Sequence, residues 1–84
     1  MIQIPDNPRY TANSERCTGD QMPCVVCGKP ITVWRWAVRL VDGGTMIGTD
    51  EDAVADPEGD LGYYPIGSDC LKKHPEIKPY AVKQ

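Results

Sequence analysis

The stretches Cys24-Val25-Val26-Cys27-Gly28-Lys29 and Gly67-Ser68-Asp69-Cys70-Leu71-Lys72-Lys73-His74 decide how this chain folds. The first sets two thiols on a tight turn closed by a glycine, and the second sets a thiol and an imidazole four residues apart. Tetrahedral zinc takes four sulfur or nitrogen donors in such pairs. The spacing therefore predicts one structural Zn2+ ion held by Cys24, Cys27, Cys70 and His74. Cys17 is the rival for the fourth place; it would make a four-cysteine site and leave His74 on the surface. If Cys17 is free, it is a small buried hydrophobe or an accidental thiol. Taken alone, Cys24 and Cys27 would also suit a redox pair, but no strand-helix-strand pattern surrounds them.

Length makes the staple necessary. An 84-residue chain is one small domain whose apolar burial alone leaves it marginal. It has no Phe, and eight Gly with eight Pro favour turns and short strands over long helices. The four cysteines could be a disulfide framework, but the opening Met1-Ile2-Gln3-Ile4-Pro5-Asp6 lacks the basic start and apolar run of a secretory leader. The reading is a reducing, cytoplasmic compartment with thiolates free to bind metal, and no membrane span.

Outward from the two ligand pairs, residues 1–16 carry Pro5 and Pro8 and no periodicity, so an extended N-terminal arm is expected, followed by a single zinc-binding domain over 17–84. Ile31 to Val41 reads as a strand with Trp34, Trp36, Val38 and Leu40 on the core face. Ile31, Val33, Arg35, Ala37 and Arg39 fall on a half-polar face. Asp42-Gly43-Gly44 reads as a hairpin turn, with Thr45 to Gly48 returning antiparallel. Thr49 to Asp60 reads as a long loop with one helical turn around Asp50 to Ala55. Leu61 to Ile66 reads as a strand returning beside the knuckle, and Ser68 as the N-cap of a helix from Asp69 to His74 that Pro75 terminates. In the tail, Ile77, Tyr80 and Val82 are the residues expected to pack back.

Knuckle, hairpin and a helix bearing the second ligand pair resemble, in that order, the treble-clef family of zinc fingers. The resemblance covers residues 24 to 74 and rests on Cys24, Cys27, Gly28, Cys70 and His74. It implies a small α+β zinc-stapled domain and no particular activity. The stretch Val41-Asp42-Gly43-Gly44, with Asp60-Leu61-Gly62-Tyr63-Tyr64-Pro65-Ile66-Gly67-Ser68-Asp69-Cys70, also resembles small zinc-binding proteins of bacteriophages and mobile elements.

On function, the pattern argues against an enzyme. His74 is the only histidine and is used as a ligand, and four ligands close the metal to substrate. Asp69, the nearest carboxylate, is explained by the helix dipole. Asp50, Glu51, Asp52, Asp56, Glu58 and Asp60 crowd one segment of a chain with net charge −3. A carboxylate-rich loop on a rigid scaffold suits the basic surface of a partner protein. The expected role is a non-enzymatic protein-interaction module or inhibitor, acting through the acidic loop or a sheet face. The alternative is a nucleic-acid-binding zinc finger using Arg35, Arg39, Lys72 and Lys73, with Lys78 nearby and Trp34 and Trp36 stacking bases. The acidic balance weighs against it.

Overall fold

The computed structural model describes residues 1–84. It is a small α+β structure built from two antiparallel sheets and three short helices. The larger sheet comprises β1 (Ile2–Gln3), β4 (Trp36–Val41), β5 (Met46–Gly48), β6 (Gly62–Pro65) and β7 (Val82–Lys83). Its strands run in the order β1-β5-β4-β6, with β7 also paired to β4. The smaller sheet pairs β2 (Met22–Pro23) with β3 (Pro30–Ile31) and carries Cys24 and Cys27 in its connection. The helices are α1 (Tyr10–Ser14), α2 (Asp50–Ala55) and α3 (Ser68–Lys73).

The central strand is shorter than its composition suggests. Only Trp36 to Val41 joins the large sheet; Pro30 and Ile31 instead close the knuckle opposite Pro23 and Met22. The chain between them bends, because it passes from one sheet to the other, and Gln21 Nε2 donates to Thr32 Oγ1 across the bend. Trp34 lies in this bend and is only half-buried, which corrects its expected place in the core. On β4 both faces are covered. Val38 is fully buried on the expected face, and Ala37 and Val41 are equally buried on the face read as half-polar. The segment carrying α2 explains part of this, since Val41 and Asp52 both lie against Gly48.

β4 and β5 form the expected hairpin, with Leu40 opposite Ile47 and Val41 opposite Met46. Four residues, Asp42 to Thr45, connect them, and Asp42, Gly43 and Gly44 all adopt positive φ. The following segment is more ordered than a loop. Thr49 caps α2 through a capping box with Asp52, each side chain bonding the other's backbone amide. This is the threonine-to-acid spacing that starts a helix. The strand read over Leu61 to Ile66 is present as β6, and the structure pairs it antiparallel to β4, with Val38 opposite Tyr64.

The first sixteen residues pack onto this frame. Ile2 lies opposite Ile47 at the sheet edge, Ile4 packs against the core, and α1 sits by the knuckle. At the other end Ile77 is fully buried, Tyr80 packs against the core and Val82 pairs with Ala37. The core is one cluster: Cys24, Val25, Val26, Val38, Ile47, Ile66, Cys70, Leu71 and Ile77. Two of its members, Cys24 and Cys70, are candidate metal ligands. No helix is long and apolar enough to cross a membrane.

Candidate metal centre

The knuckle is held by its own backbone. Cys24 N–H donates to the Lys29 carbonyl at 3.0 Å and Gly28 N–H to the Cys24 carbonyl at 2.9 Å. Gly28 turns the chain with φ 77° and lies so close to the Tyr10 carbonyl of α1 that a side chain there would collide with it. Asn13, also on α1, donates from Nδ2 to the Cys27 carbonyl at 2.8 Å. The N-terminal segment thus buttresses the ligand turn, a role that polar residues without periodicity do not announce.

α3 brings the third thiol. Gly67 is its N-cap in place of Ser68, whose side chain makes no capping bond; the helix begins one residue early and Ser68 is its first turn. The Gly67 amide instead points at the knuckle and donates to Cys24 Sγ at 3.2 Å. Cys24 and Cys70 Sγ are 3.7 Å apart, and the sulfurs of Cys24, Cys27 and Cys70 all lie within 4.8 Å of one another. Tetrahedral zinc with Zn–S of about 2.3 Å has sulfur–sulfur edges of roughly 3.8 Å. The donor chemistry and the spacing both fit a metal ion. All four cysteines are free thiols.

Electrostatics divides the cluster. Burial raises the Cys24 thiol's pKa, but the amides of Cys27, Gly67 and Val26 outweigh it, and the group is lowered from its ordinary value. Cys70 is pushed up to about 12, first by burial and then by the neighbouring charge of Cys24. One negative charge is welcome here and a second is not, unless a cation arrives with it.

His74 lines the same cavity of about 220 Å³ as the three cysteines, but its imidazole stands outside the sulfur cluster. The cause is local. Pro75 takes His74 out of the helical conformation, to φ −126° and ψ 72°, so it caps α3 and does not continue the face that carries Cys70. Its Nδ1 is 3.4 Å from Glu76 Oε1. Asp69 is exposed in the first turn of α3 and borders the cavity. Cys17 is half-buried and is not in the sulfur cluster.

The acidic segment is not one uniform patch. Arg39 donates to both Asp60 oxygens, from Nε at 3.0 Å and Nη2 at 2.7 Å, and from Nη1 to Asp50 Oδ1 at 2.8 Å. Tyr63 O–H donates to the same Asp50 oxygen at 2.7 Å, and the guanidinium lies 5.3 Å from the Tyr63 ring centre. Arg39 holds the Asp60 carboxyl down at about 2, helped by the Gly62 amide. Tyr63 and then Arg39 lower Asp50, and the Thr49 amide lowers Asp52 in the capping box. Glu51, Asp56 and Glu58 remain exposed without an ion pair. Of the basic residues, Arg39 is thus engaged internally, while Arg35, Lys72 and Lys73 are exposed. Lys73 borders the cysteine-lined cavity. The Arg39 clamp was hidden because its partners lie 11 and 21 residues away.

Comparisons with family models, with curated proteins and with solved structures found no match to this chain.

Proposed function

We propose that the chain is a zinc-stapled domain of treble-clef type that acts without catalysis, by binding a partner protein. The observation that carries the metal half is the convergence of Cys24, Cys27 and Cys70 from two segments 43 residues apart at the Cys27–Cys70 gap, with the Cys24 and Cys70 sulfurs 3.7 Å from each other. Three thiolates select zinc over magnesium or calcium, which prefer oxygen donors. The knuckle between β2 and β3, the hairpin β4–β5 and the ligand on α3 follow the treble-clef order. The burial of Cys24 and Cys70 within the apolar core supports a structural role for the metal.

The interaction half rests on α2 and the turn after it. Glu51, Val54, Ala55 and Glu58 are all exposed, with Val54 80 % exposed, and Asp56 adds a third unpaired acid. An exposed apolar side chain on a segment that carries unpaired carboxylates suits a basic surface with an apolar centre. The nucleic-acid reading is weaker, because Arg39 already serves Asp50 and Asp60.

Metal analysis of purified protein is expected to give one zinc per chain. Capture on immobilised zinc-loaded protein is expected to weaken with salt. It should be lost when Glu51, Asp56 and Glu58 are changed together to Lys. A DNA or RNA mobility shift at ~0.15 M salt, abolished by Lys72→Glu with Lys73→Glu, would overturn this in favour of the nucleic-acid reading.

A further inference from the structure

We infer that Glu76 is a positioning residue for the metal: it fixes the His74 ring with Nδ1 toward its carboxylate, so that Nε2 is the nitrogen offered to the ion. The inference rests on the metal reading above. A neutral imidazole has one N–H and one lone pair, and which nitrogen carries which is set by the ring's hydrogen-bond partner. Here the one carboxylate within 4.0 Å of the ring is on the Nδ1 side, with Glu76 Oε1 at 3.4 Å. A proton placed on Nδ1 leaves the Nε2 lone pair free. Metal-binding histidines commonly have a carboxylate in this place, and its loss costs affinity without removing a ligand.

The backbone keeps the pair in register. Pro75 fixes the chain between His74 and Glu76, and the turn over Pro75–Tyr80 is anchored by Ile77, which is fully buried. Ile77 N–H donates to the His74 carbonyl at 3.0 Å, closing the turn that contains Glu76. The imidazole borders the cysteine cavity but stands outside the sulfur cluster, so ligation requires the ring to move inward while Nδ1 stays with Glu76. Lys72 and Lys73, its neighbours on α3, have no acceptor to compete for the ring N–H.

The test uses the whole chain loaded with cobalt and with zinc, with circular dichroism of each loaded variant to confirm folding. His74→Ala is expected to shift the cobalt d–d bands while keeping the thiolate charge-transfer bands. Glu76→Ala should keep the wild-type bands yet lose about 10–100-fold in zinc affinity by chelator competition. Glu76→Gln, whose amide oxygen can still accept from Nδ1, should recover part of that loss. Imidazole 15N spectra of the zinc-loaded wild type should show Nδ1 protonated and Nε2 metal-bound. Unchanged affinity in Glu76→Ala, or metal found on Nδ1, overturns the inference and leaves the metal centre standing. Unchanged cobalt bands in His74→Ala overturn it too, with a three-cysteine centre remaining. Wild-type protein that binds neither ion removes the metal reading itself.

Discussion

At the scale of single residues, the cysteines divide the work of holding a charge. Amides pointing at Cys24 Sγ favour its thiolate, whereas Cys70 stays protonated well beyond neutrality because burial and the Cys24 charge oppose a second anion. Metal uptake near pH 7 must then expel at least the Cys70 proton. Each proton displaced strengthens binding about tenfold per pH unit, because protons and metal compete for one lone pair. Zinc affinity measured by chelator competition is expected to rise at least that steeply from pH 6 to 8; a flat profile would mean that Cys70 is not a ligand. These residues were legible because thiols at fixed spacing mean little else in a reduced chain. The same reading placed His74 on the helix face with Cys70, although Pro75 follows it, and a proline's restriction on the preceding residue decides the local backbone before any ligand does. Arg39 shows a different limit. Strand alternation gives its face, but its partners Asp50 and Asp60 are set by how α2 and the chain before β6 fold over it.

At the scale of elements, the knuckle depends on a helix that precedes it. Gly28 adopts positive φ, and its missing side chain leaves room for the Tyr10 carbonyl. Gly28→Ala is expected to cost about 2–4 kcal/mol, combining a left-handed backbone penalty with overpacking against rigid backbone. Gly43 also has positive φ but nothing near it. Gly43→Ala is therefore expected to cost only about 1 kcal/mol. Urea unfolding of the zinc-loaded pair checks this, and equal losses would show that α1 does not bear on the knuckle. α2 offers an independent case. Its capping box joins Thr49 and Asp52, and Thr49→Ala is expected to cost about 1 kcal/mol by the same measurement, without altering zinc affinity. The hairpin was readable from alternation and turn residues, because its hydrogen bonds follow the local pattern, and β6 was readable as an apolar segment although its pairing with β4 was not. Strands β1 and β7 were not, since two-residue strands exist only through partners supplied by the tertiary fold: Ile47 for Ile2, Ala37 for Val82.

At the scale of the whole molecule, the three sulfurs stand where a hydrophobic core would otherwise have to close. Cys24 and Cys70 belong to the same buried cluster as Val26, Val38, Ile47, Ile66 and Ile77, and none of the large aromatic side chains is fully buried there. An ion joining the knuckle to α3 ties residues before the hairpin to residues after β6, so the large sheet is bracketed by the ligands. Structural zinc contributes on the order of 10 kcal/mol in small fingers, which is comparable with the whole stability of an ordinary domain. Removing it should therefore unfold the chain rather than loosen one loop. The folded radius of gyration is 12.1 Å over Cα atoms. A chain of this length expands to roughly 28 Å when unfolded. Small-angle scattering of the reduced protein after exhaustive chelation is expected to move most of the way to that value and to return on adding one equivalent of zinc. Cys70→Ser should resemble the chelated state even with zinc present, whereas Cys17→Ser should stay compact, because its sulfur is outside the cluster. Chelated protein that remains compact and unfolds cooperatively in urea would show that the apolar contacts suffice, and the metal would then need a role other than holding the fold.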